Sequence, residues 1–350
     1  MSNHLTLHIV NSTPYSNLNR DDTGTPKRIM QGGTMRAVHS SQSIKRGIRL
    51  NYQERTTTDS IRSAYIANLV LDRANEINPD LDPKEAKKTV GKLIKGLTSK
   101  EAYNDEDKDN RSIFVSTEEI EAMAATVANN TEKSVNDVFH GHKTGALAIA
   151  AFGRMFAANP DLNTEAAIAV SPGVTTHTAH IATDYFTAVD DTAATTFLGV
   201  NQFTSGIFYR TITIDRKQLK DSWTGYTSPN AHEQVSALVE SMFYGQPNGK
   251  VNSTAPYTMP SLIIAEEQNH RIAYDFDTPV QPDEDGGYLN PTISNLARQV
   301  EAAHKFDPDN FAGIFAVSGT HPDINDLFSQ EVTPKNNIIG QITDWALKAE

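Results

Sequence analysis

The chain has 350 residues, 38% of them hydrophobic and 21% charged, and a formal net charge of −12, an ordinary globular composition with enough apolar material for a sizeable core. It has no cysteine, so disulfides and thiolate metal sites are excluded. No stretch approaches the roughly 18–20 continuous apolar residues of a membrane span, and the N-terminus lacks a secretory pattern. We therefore expect a cytoplasmic protein with no membrane partner.

Two N-terminal elements and a helix start are predicted from patterning. Residues 4–10 alternate apolar and polar side chains, which predicts a half-buried strand. The stretch 11–33 is rich in Asn, Asp, Gly and Pro and is predicted to be a loop. Ser40 and Ser41 are good N-cap residues for a helix that begins near Gln42.

This predicted helix separates apolar from cationic side chains. At about 100° per residue, its isoleucines share one side and a polar stripe lies next to them. The isoleucines are Ile44 and Ile48, and the stripe consists of Gln42, Lys45 and Arg49. We expect the helix to dock through the isoleucines and to present the stripe to a ligand.

The middle of the chain favours helices. Apolar spacing predicts a helix over 58–77, a proline at the first helical position starts another at Pro83, and Ser116 begins a capping box. The block 58–130 is therefore interpreted as a helical insertion or subdomain. Residues 146–158 fit either a helix or a strand followed by a turn, and periodicity does not separate the two.

Strands and helices are interspersed in the rest of the chain. β-Branched and aromatic content predicts strands over 206–214 and 260–265. Residues 266–285 contain seven acidic side chains and one arginine, which suggests a solvent-facing loop. Helices are predicted near 293–304 and 338–348, and this mixture indicates the α+β class.

Positive charge is concentrated near the N-terminus. Residues 20–55 hold eight basic and three acidic side chains, a local charge of +5 that leaves −17 for the rest of the chain. Overall acidity repels stray polyanions, whereas a concentrated basic segment attracts one where it is displayed. A solvated face is the alternative interpretation, and charge alone does not choose between them.

Metal-binding patterns are weak. His177 and His180 have H-x-x-H spacing and precede Asp184, Asp190 and Asp191. This spacing alone neither fixes the second ring nitrogen of each histidine nor brings the carboxylates together. Histidines that form core or hydrogen-bonding contacts are therefore the preferred interpretation.

Catalytic patterns are weak as well. Asp21 and Asp22 beside Arg20 are compatible with cation binding or acid–base chemistry, but such a pair is more often a loop salt bridge. The run GQPNGK at 245–250 has three residues between its glycines instead of the four of a phosphate loop, and no nucleophile elbow is present. The residues predict a protein that is not an enzyme and has no metal or cofactor.

Nucleic-acid features are better supported. The polar stripe and Ser40 at a helix N-terminus combine side-chain cations with backbone N–H groups for phosphate, and Lys27 adds charge. In the segment 184–210, phenylalanines alternate with small residues, a pattern suited to separating stacked bases. A core role is the alternative for each aromatic side chain. The signature of an RNA-recognition motif is absent.

Three groups of motifs carry a family resemblance. The first is LNRDD, then GG, then SSQSIKRGIR within residues 18–49, and the second is FGRM at 152–155 with NPDLNTEAAIAVSPGVTTH after it. The third is DYFTAVDD followed by LGVNQFTSGIFYR. In this order, over roughly residues 1–215, they resemble the CasC family, the Cascade backbone subunits of type I-E CRISPR systems.

The resemblance implies an α+β fold built as a hand: an RRM-like (ferredoxin-like) palm, an inserted helical fingers domain and a protruding thumb hairpin. The implied palm segments are 1–57, 141–183 and 211–350. The implied fingers are 58–140, and the implied thumb is 184–210.

The resemblance also implies a function in antiviral defence. Copies of the subunit, six in the usual Cascade, would assemble head-to-tail along one CRISPR RNA with other Cascade subunits, and the guide would pair with target double-stranded DNA. The implied contacts to the guide backbone are Arg20, Lys27, Ser40, Gln42, Lys45, Arg46 and Arg49. Met155 would pack near a kinked nucleotide, and the thumb candidates for displacing a base are Phe197, Leu198 and Phe203.

Two rival functions stay open at the level of sequence. Related backbone subunits of type III systems cut target RNA with a loop aspartate and a metal, a role for which Asp21, Asp22 or the His177/His180 group would serve here. The second rival is a scaffold held together by protein contacts alone.

Overall fold

The computed structural model describes residues 2–57, 59–98, 112–189, 196–311 and 313–348. The chain divides into two compact units. Unit 1 comprises Met1–Tyr52, Ala169–Ile214 and Ser236–Ala346, and unit 2 comprises Gln53–Ile168, Asp215–Val235 and Leu347–Glu350. Strands and helices are mixed along the chain, which confirms the predicted α+β class.

One large sheet dominates unit 1. Its strands are β1 (His4–Ser16), β2 (Arg28–Gln31), β3 (Thr34–His39), β6 (Ile168–Val170), β7 (Gly173–Thr175), β8 (Ile181–Val189), β9 (Thr196–Asp215), β10 (Leu262–Gln268) and β11 (Phe315–Ser318). The main path runs β11-β10-β1-β9-β7-β3-β2, with β6 and β8 also paired to β9. Because β1 lies between β10 and β9, the N-terminus of the chain occupies the interior of the sheet.

The first strand is more deeply buried than its alternating pattern predicted. Leu5, Leu7 and Ile9 are fully buried, but so are Thr6 and His8 on the opposite face. The polar residues are accommodated by hydrogen bonds, such as the 2.8 Å contact between His8 Nδ1 and the Tyr209 hydroxyl. The half-buried strand is therefore a wrong prediction, because satisfied polar groups can be buried.

The predicted loop over 11–33 is wrong in two places. β1 continues to Ser16, and β2 pairs with β3 in an antiparallel hairpin. Gly32 and Gly33 at its turn have φ of 57° and 71°, the left-handed values that a two-residue hairpin turn requires. A Cβ on Gly32 would overlap the Asp277 carbonyl, so the hairpin packs closely on that backbone.

The described helices are distributed over the whole chain. They are α1 (Ser41–Arg55), α2 (Ile66–Ile77), α3 (Pro83–Thr98), α4 (Thr117–Ala128), α5 (Val135–Val138), α6 (Leu147–Phe152), α7 (Arg216–Ser222), α8 (Ala231–Tyr244), α9 (Leu289–Phe306), α10 (Ile324–Phe328) and α11 (Lys335–Ala346). Residues 146–158, for which helix and strand both stayed open, contain helix α6.

Unit 2 contains a helical core. Helices α2, α3, α4 and α5 bury apolar faces against one another, with Val70, Val90, Leu97 and Met123 inaccessible to solvent. The capping box at the start of α4 is confirmed: Ser116 Oγ accepts from the Glu119 N–H, and Glu119 Oε2 accepts from the Ser116 N–H.

The single helix predicted over 58–77 is wrong at its start. Residues Ser60–Ser63 form strand β4, which pairs with β5 (Ile113–Ser116), and α2 begins only at Ile66. Pairing with a strand some 50 residues away overrides the local helical spacing. Unit 2 also includes 141–168, which the domain prediction assigned to the palm, and the division into palm, fingers and thumb stays a prediction.

The acidic stretch 266–285 is not wholly a solvent-facing loop, because its first three residues belong to β10. Glu266 is 1% exposed and its carboxylate lies 2.9 Å from both His8 Nε2 and His304 Nε2. The Tyr274 hydroxyl and the Gln268 amide also donate to it. This buried polar cluster joins β1, β10 and α9. None of the helices in the described ranges has the length and apolar character to cross a membrane.

Candidate nucleic-acid interface

The N-terminus of α1 is fixed by two side chains. Ser40 is the N-cap residue: its Oγ accepts from the Ser43 N–H at 3.4 Å, and its carbonyl accepts from the Ile44 N–H at 3.0 Å. Asn19 Oδ1 accepts from the Ser40 N–H at 2.7 Å, which ties the helix start to the loop after β1. The predicted cap is confirmed.

The two faces of α1 separate as its spacing predicted. Ile44 and Ile48 are 1% and 0% exposed and dock the helix into unit 1. The stripe is on the outer side, where Gln42 is exposed and Lys45 and Arg49 are half-buried. Long basic side chains can bury their stems and keep their charged ends in water, so this placement suits contacts with an anion.

The loop 245–250 of unit 1 contacts α1 at Arg46 and Gly47. The Arg46 guanidinium donates to Asn248 Oδ1 at 3.1 Å, and Gly47 lies directly against the Gln246 carbonyl. The Gly249 N–H in turn donates to the Leu18 carbonyl at 3.0 Å. The glycines of the GQPNGK run therefore permit close backbone contacts beside the basic helix. Spacing alone did not reveal this role, because it depends on a tertiary contact.

Replacing Gly47 by alanine tests this close contact. The new Cβ would overlap the Gln246 carbonyl, so we expect a loss of about 1–3 kcal/mol in the free energy of unfolding from overpacking. Gly340→Ala is the matched control, since that helical glycine has open space at its Cβ position and the change should stabilise α11 by up to about 1 kcal/mol. Equal denaturation midpoints for the two variants would contradict the packing argument.

Asp21 braces the loop that carries Arg20 and Lys27. One carboxylate oxygen accepts from the Thr23 N–H, the Thr23 hydroxyl and the Thr25 N–H at 2.7–3.0 Å. The hydrogen bond from the Thr23 hydroxyl is the main cause of the lowered Asp21 pKa. Arg20 and Lys27 are exposed on this loop, and the Lys27 N–H donates to the Asn19 carbonyl. The same short segment thus positions both basic residues and the cap of α1.

The hairpin β8–β9 carries exposed apolar side chains. Tyr185 pairs with Val200 and Thr187 pairs with Leu198, so these residues share one face, where Tyr185, Leu198 and Val200 are 54–68% exposed. On the other face, the Phe186 ring covers Gly199. An aromatic ring over a strand glycine replaces the packing that the glycine lacks.

The thumb candidates differ in their surroundings. Leu198 is 62% exposed, whereas Phe203 is 5% exposed and its ring stacks on Tyr15 at 4.4 Å. The Lys250 ammonium lies 5.5 Å from the same ring. Phe203 is thus packed at the base of the hairpin, which fits the core alternative better than base displacement. The Phe197 side chain and residues 190–195 lie outside the described part of the chain.

Met155 belongs to unit 2 and is 77% exposed. The preceding Arg154 is buried, and its guanidinium donates to Glu119 Oε2 at 2.6 Å. The Arg154 charge also lies 4.8 Å from the Phe156 ring centre. The buried Arg154 side chain therefore fixes the backbone next to the exposed Met155.

His177 of the H-x-x-H pair is held by hydrogen bonds within unit 1. His177 uses both ring nitrogens, with Nδ1 2.9 Å from the Thr178 carbonyl and Nε2 accepting from the Ile207 N–H at 3.1 Å. Its ring stacks on Tyr288 at 3.9 Å, and burial lowers its pKa. His180 is exposed. Within the described ranges, no group of three or more His, Cys, Asp or Glu side chains is arranged to hold a metal ion.

One protein-family model matches nearly the whole chain. The family model Cas_CT1975, described as CT1975-like protein, matches residues 5–344. The chain belongs to this Cas family. No curated protein matches it.

Two solved structures resemble the chain closely in fold. A chain from a "CRISPR RNA-guided surveillance complex, pre-nicking" has 22% sequence identity and a TM-score of 0.83, with 98% of this chain and 100% of that chain covered. A chain from a "CRISPR RNA-guided surveillance complex" has 20% identity and a TM-score of 0.64, with coverage of 98% and 99%. The Cas family member described here thus has the α+β fold of subunits found in such complexes.

Proposed function

We propose that this protein is a CRISPR RNA-binding backbone subunit of a Cascade-type surveillance complex, of the type I-E or CasC kind. Copies would assemble head-to-tail along the guide, beside other Cascade subunits in the cytoplasm, and present the guide for pairing with target double-stranded DNA. The protein would be noncatalytic. Sequence specificity would then belong to guide–target pairing, while the protein contacts the guide backbone.

The observation that carries the proposal is the fixed N-terminus of α1. Asn19 and Ser40 set the helix start, where the helix dipole and backbone N–H groups favour an anion. Lys45 and Arg49 follow on the outer face, and Arg20 and Lys27 project from the loop joined to the same cap. These cations lie in an otherwise acidic chain, so a polyanion has a defined place to bind.

The proposal predicts salt-dependent RNA binding through the α1 stripe. Affinity for a repeat-containing CRISPR RNA is measured as salt concentration rises, for the wild type and for Lys45→Ala with Arg49→Ala. We expect weaker binding and a log–log slope reduced by about 0.7 for each lost phosphate contact to a single strand. Arg298→Ala with Lys305→Ala on α9 is a charge-matched control in the same unit, because both side chains are exposed.

Two results would count against the guide-binding role. One is a flat salt response, and the other is an affinity that the α1 double variant leaves unchanged. Co-purification of short RNA of uniform length, seen as high absorbance at 260 nm relative to 280 nm, supports the role. The noncatalytic part is tested separately: regularly spaced cuts in complementary RNA with Mg²⁺ or Mn²⁺, abolished by Asp21→Ala, would overturn it.

A further inference from the structure

Tyr15, near the end of β1, has an aromatic ring that is packed on one side and exposed on the other. Its ring centre lies 4.4 Å from that of Phe203, with an angle of 29° between the ring planes. Tyr15 is 47% exposed, whereas Phe203 is 5% exposed, so the buried ring supports the exposed one. Stacking of this kind fixes the orientation of the Tyr15 ring. The exposed area of Tyr15 therefore lies on the side away from Phe203.

Lys250 places a positive charge beside this aromatic pair. Its ammonium group donates to Asn201 Oδ1 and lies 5.5 Å from the Phe203 ring centre. Asn201 is neutral, so this hydrogen bond leaves the charge of Lys250 in place. Lys250 has a φ of 50°, a left-handed value that is uncommon for residues other than glycine and that occurs preferentially at binding sites. The Lys250 carbonyl accepts from the Thr254 hydroxyl at 3.0 Å, which helps to hold this conformation.

Tyr15 and Lys250 are joined to the start of α1. Asn19, whose side chain fixes the first residue of that helix, follows Tyr15 by only four residues. The loop that carries Lys250 is tied to the same segment, because the Gly249 N–H donates to the Leu18 carbonyl at 3.0 Å. The aromatic pair, the lysine and the cap of α1 therefore form one continuous part of unit 1.

We propose that Tyr15 stacks on an unpaired base of the RNA that is bound along α1. This inference rests on the proposed function, and it adds a base contact to the backbone contacts described there. Base–aromatic stacking tolerates any sequence, because every base has a flat face. Lys250 supplies positive charge for the neighbouring phosphate. Phe203, for which the sequence suggested base displacement, instead supports the stacking ring.

The chemistry of the site favours an unpaired nucleotide over other occupants. A duplex keeps its bases inside and offers no base face to a tyrosine. An apolar protein surface packed on Tyr15 would have to remove water from the Lys250 ammonium without supplying a partner, which is costly. A nucleotide matches both groups, because its base is flat and its phosphate is anionic.

The experiment compares three variants of the full chain. Tyr15→Leu keeps an apolar side chain against Phe203 but removes the ring, and Tyr15→Phe keeps the ring. Tyr65→Leu is the matched control, because Tyr65 is a 68% exposed tyrosine of unit 2. Fluorescence anisotropy measures the affinity of each variant for a labelled single-stranded RNA that contains the repeat, as the salt concentration rises. The same RNA is also prepared with an abasic site at each position in turn.

The expected result separates stacking from charge. Tyr15→Leu should bind the RNA at least about fivefold more weakly, the lower end of the loss for one stacked base. Its log–log salt slope should equal that of the wild type, because no phosphate contact is removed. Tyr15→Phe and Tyr65→Leu should keep the wild-type affinity. In the wild type, an abasic site at the stacked position should weaken binding by a similar factor, and Tyr15→Leu should be insensitive to it.

Four outcomes overturn the inference. The first is an unchanged RNA affinity of Tyr15→Leu, and the second is a wild-type affinity that no abasic site lowers. If the α1 double variant still binds RNA weakly in either case, the proposed function stands; if that variant also binds normally, both proposals fail. The third is a reduced salt slope of Tyr15→Leu, which would show a changed cationic loop. The fourth is loss of self-association by Tyr15→Leu without RNA in light scattering, which would assign Tyr15 to a contact with a second copy.

Discussion

Replacing Glu266 by alanine is expected to lower the free energy of unfolding of unit 1 by about 3–5 kcal/mol, the usual effect of removing one partner from a buried charged cluster. The carboxylate is 1% exposed and accepts from His304, Tyr274 and Gln268. Its removal leaves these donors without their acceptor in the interior. Glu266→Gln keeps the shape of the side chain but directs an amide N–H toward groups that are themselves donors. We therefore expect a loss of stability that is smaller than the loss caused by Glu266→Ala.

The measurement needs a signal from unit 1 alone. Trp345 belongs to unit 1 and Trp223 to unit 2, so urea unfolding is followed by tryptophan fluorescence in a Trp223→Phe background. Glu284→Ala, at an exposed position of the same acidic stretch, is the control and should change stability by less than about 0.5 kcal/mol. A midpoint for Glu266→Ala equal to that of the control would show that the cluster contributes nothing.

The same cluster predicts a pH dependence. Burial alone would raise the Glu266 pKa, but hydrogen bonds from His304 and His8 outweigh it and hold the pKa at about 2, below the ordinary value of 4.5. A carboxyl whose pKa is lowered in the folded state stabilises the fold above its unfolded pKa. This contribution should therefore be complete above pH 4.5 and lost progressively as the pH falls toward 2. The stability difference between wild type and Glu266→Gln should shrink over that window.

Arg154→Ala is expected to destabilise unit 2 by a similar amount, about 3–5 kcal/mol. The side chains of Arg154 and Glu119 are 1% and 4% exposed, so the variant leaves a carboxylate buried without its cation. Arg73→Ala is the control in the same unit, because Arg73 is 43% exposed and exposed pairs contribute about 0–1 kcal/mol. Trp223 fluorescence in a Trp345→Phe background reports the transition.

A second substitution separates the charge from the cap. Glu119→Gln keeps a side-chain oxygen for the Ser116 N–H, so the capping box can persist, but it removes the charge that Arg154 faces. The loss of stability caused by Glu119→Gln should approach the loss caused by Arg154→Ala. The double variant should lose less stability than the sum of the two single variants. Strict additivity of the two single changes would show that the residues do not interact.

The predictable part of the fold is the part set by local spacing. Ser40, Ile44 and Ile48 lie within three turns of one helix, so its cap and buried face followed from the sequence. The β2–β3 hairpin was missed although a Gly-Gly pair is typical of its turn, because the surrounding polar residues indicated a loop. The burial of Glu266 was not predictable, since it depends on His8 and His304, which are distant in the chain.

The candidate site was likewise predictable only where it depends on local spacing. The stripe on α1 was predicted from periodicity, and the structure adds the parts that hold it: Asn19 at the cap and the loop around Gly249. Phe203 shows the reverse case. Its aromatic character suggested a role in displacing a base, but the neighbouring Tyr15, about 190 residues away in the chain, packs against its ring, and no local pattern indicates such a partner.

The central position of β1 in its sheet has a consequence for biosynthesis. Its two neighbours in the sheet are β9 and β10, and the register with β10 pairs Leu5 with Glu267. A nascent chain therefore carries β1 without a complete set of partners until β10 (Leu262–Gln268) has been made. Such long-range pairing is slow and leaves strand edges open to other chains in the meantime. Strand β1 can therefore complete its pairing only after β10 has been synthesised.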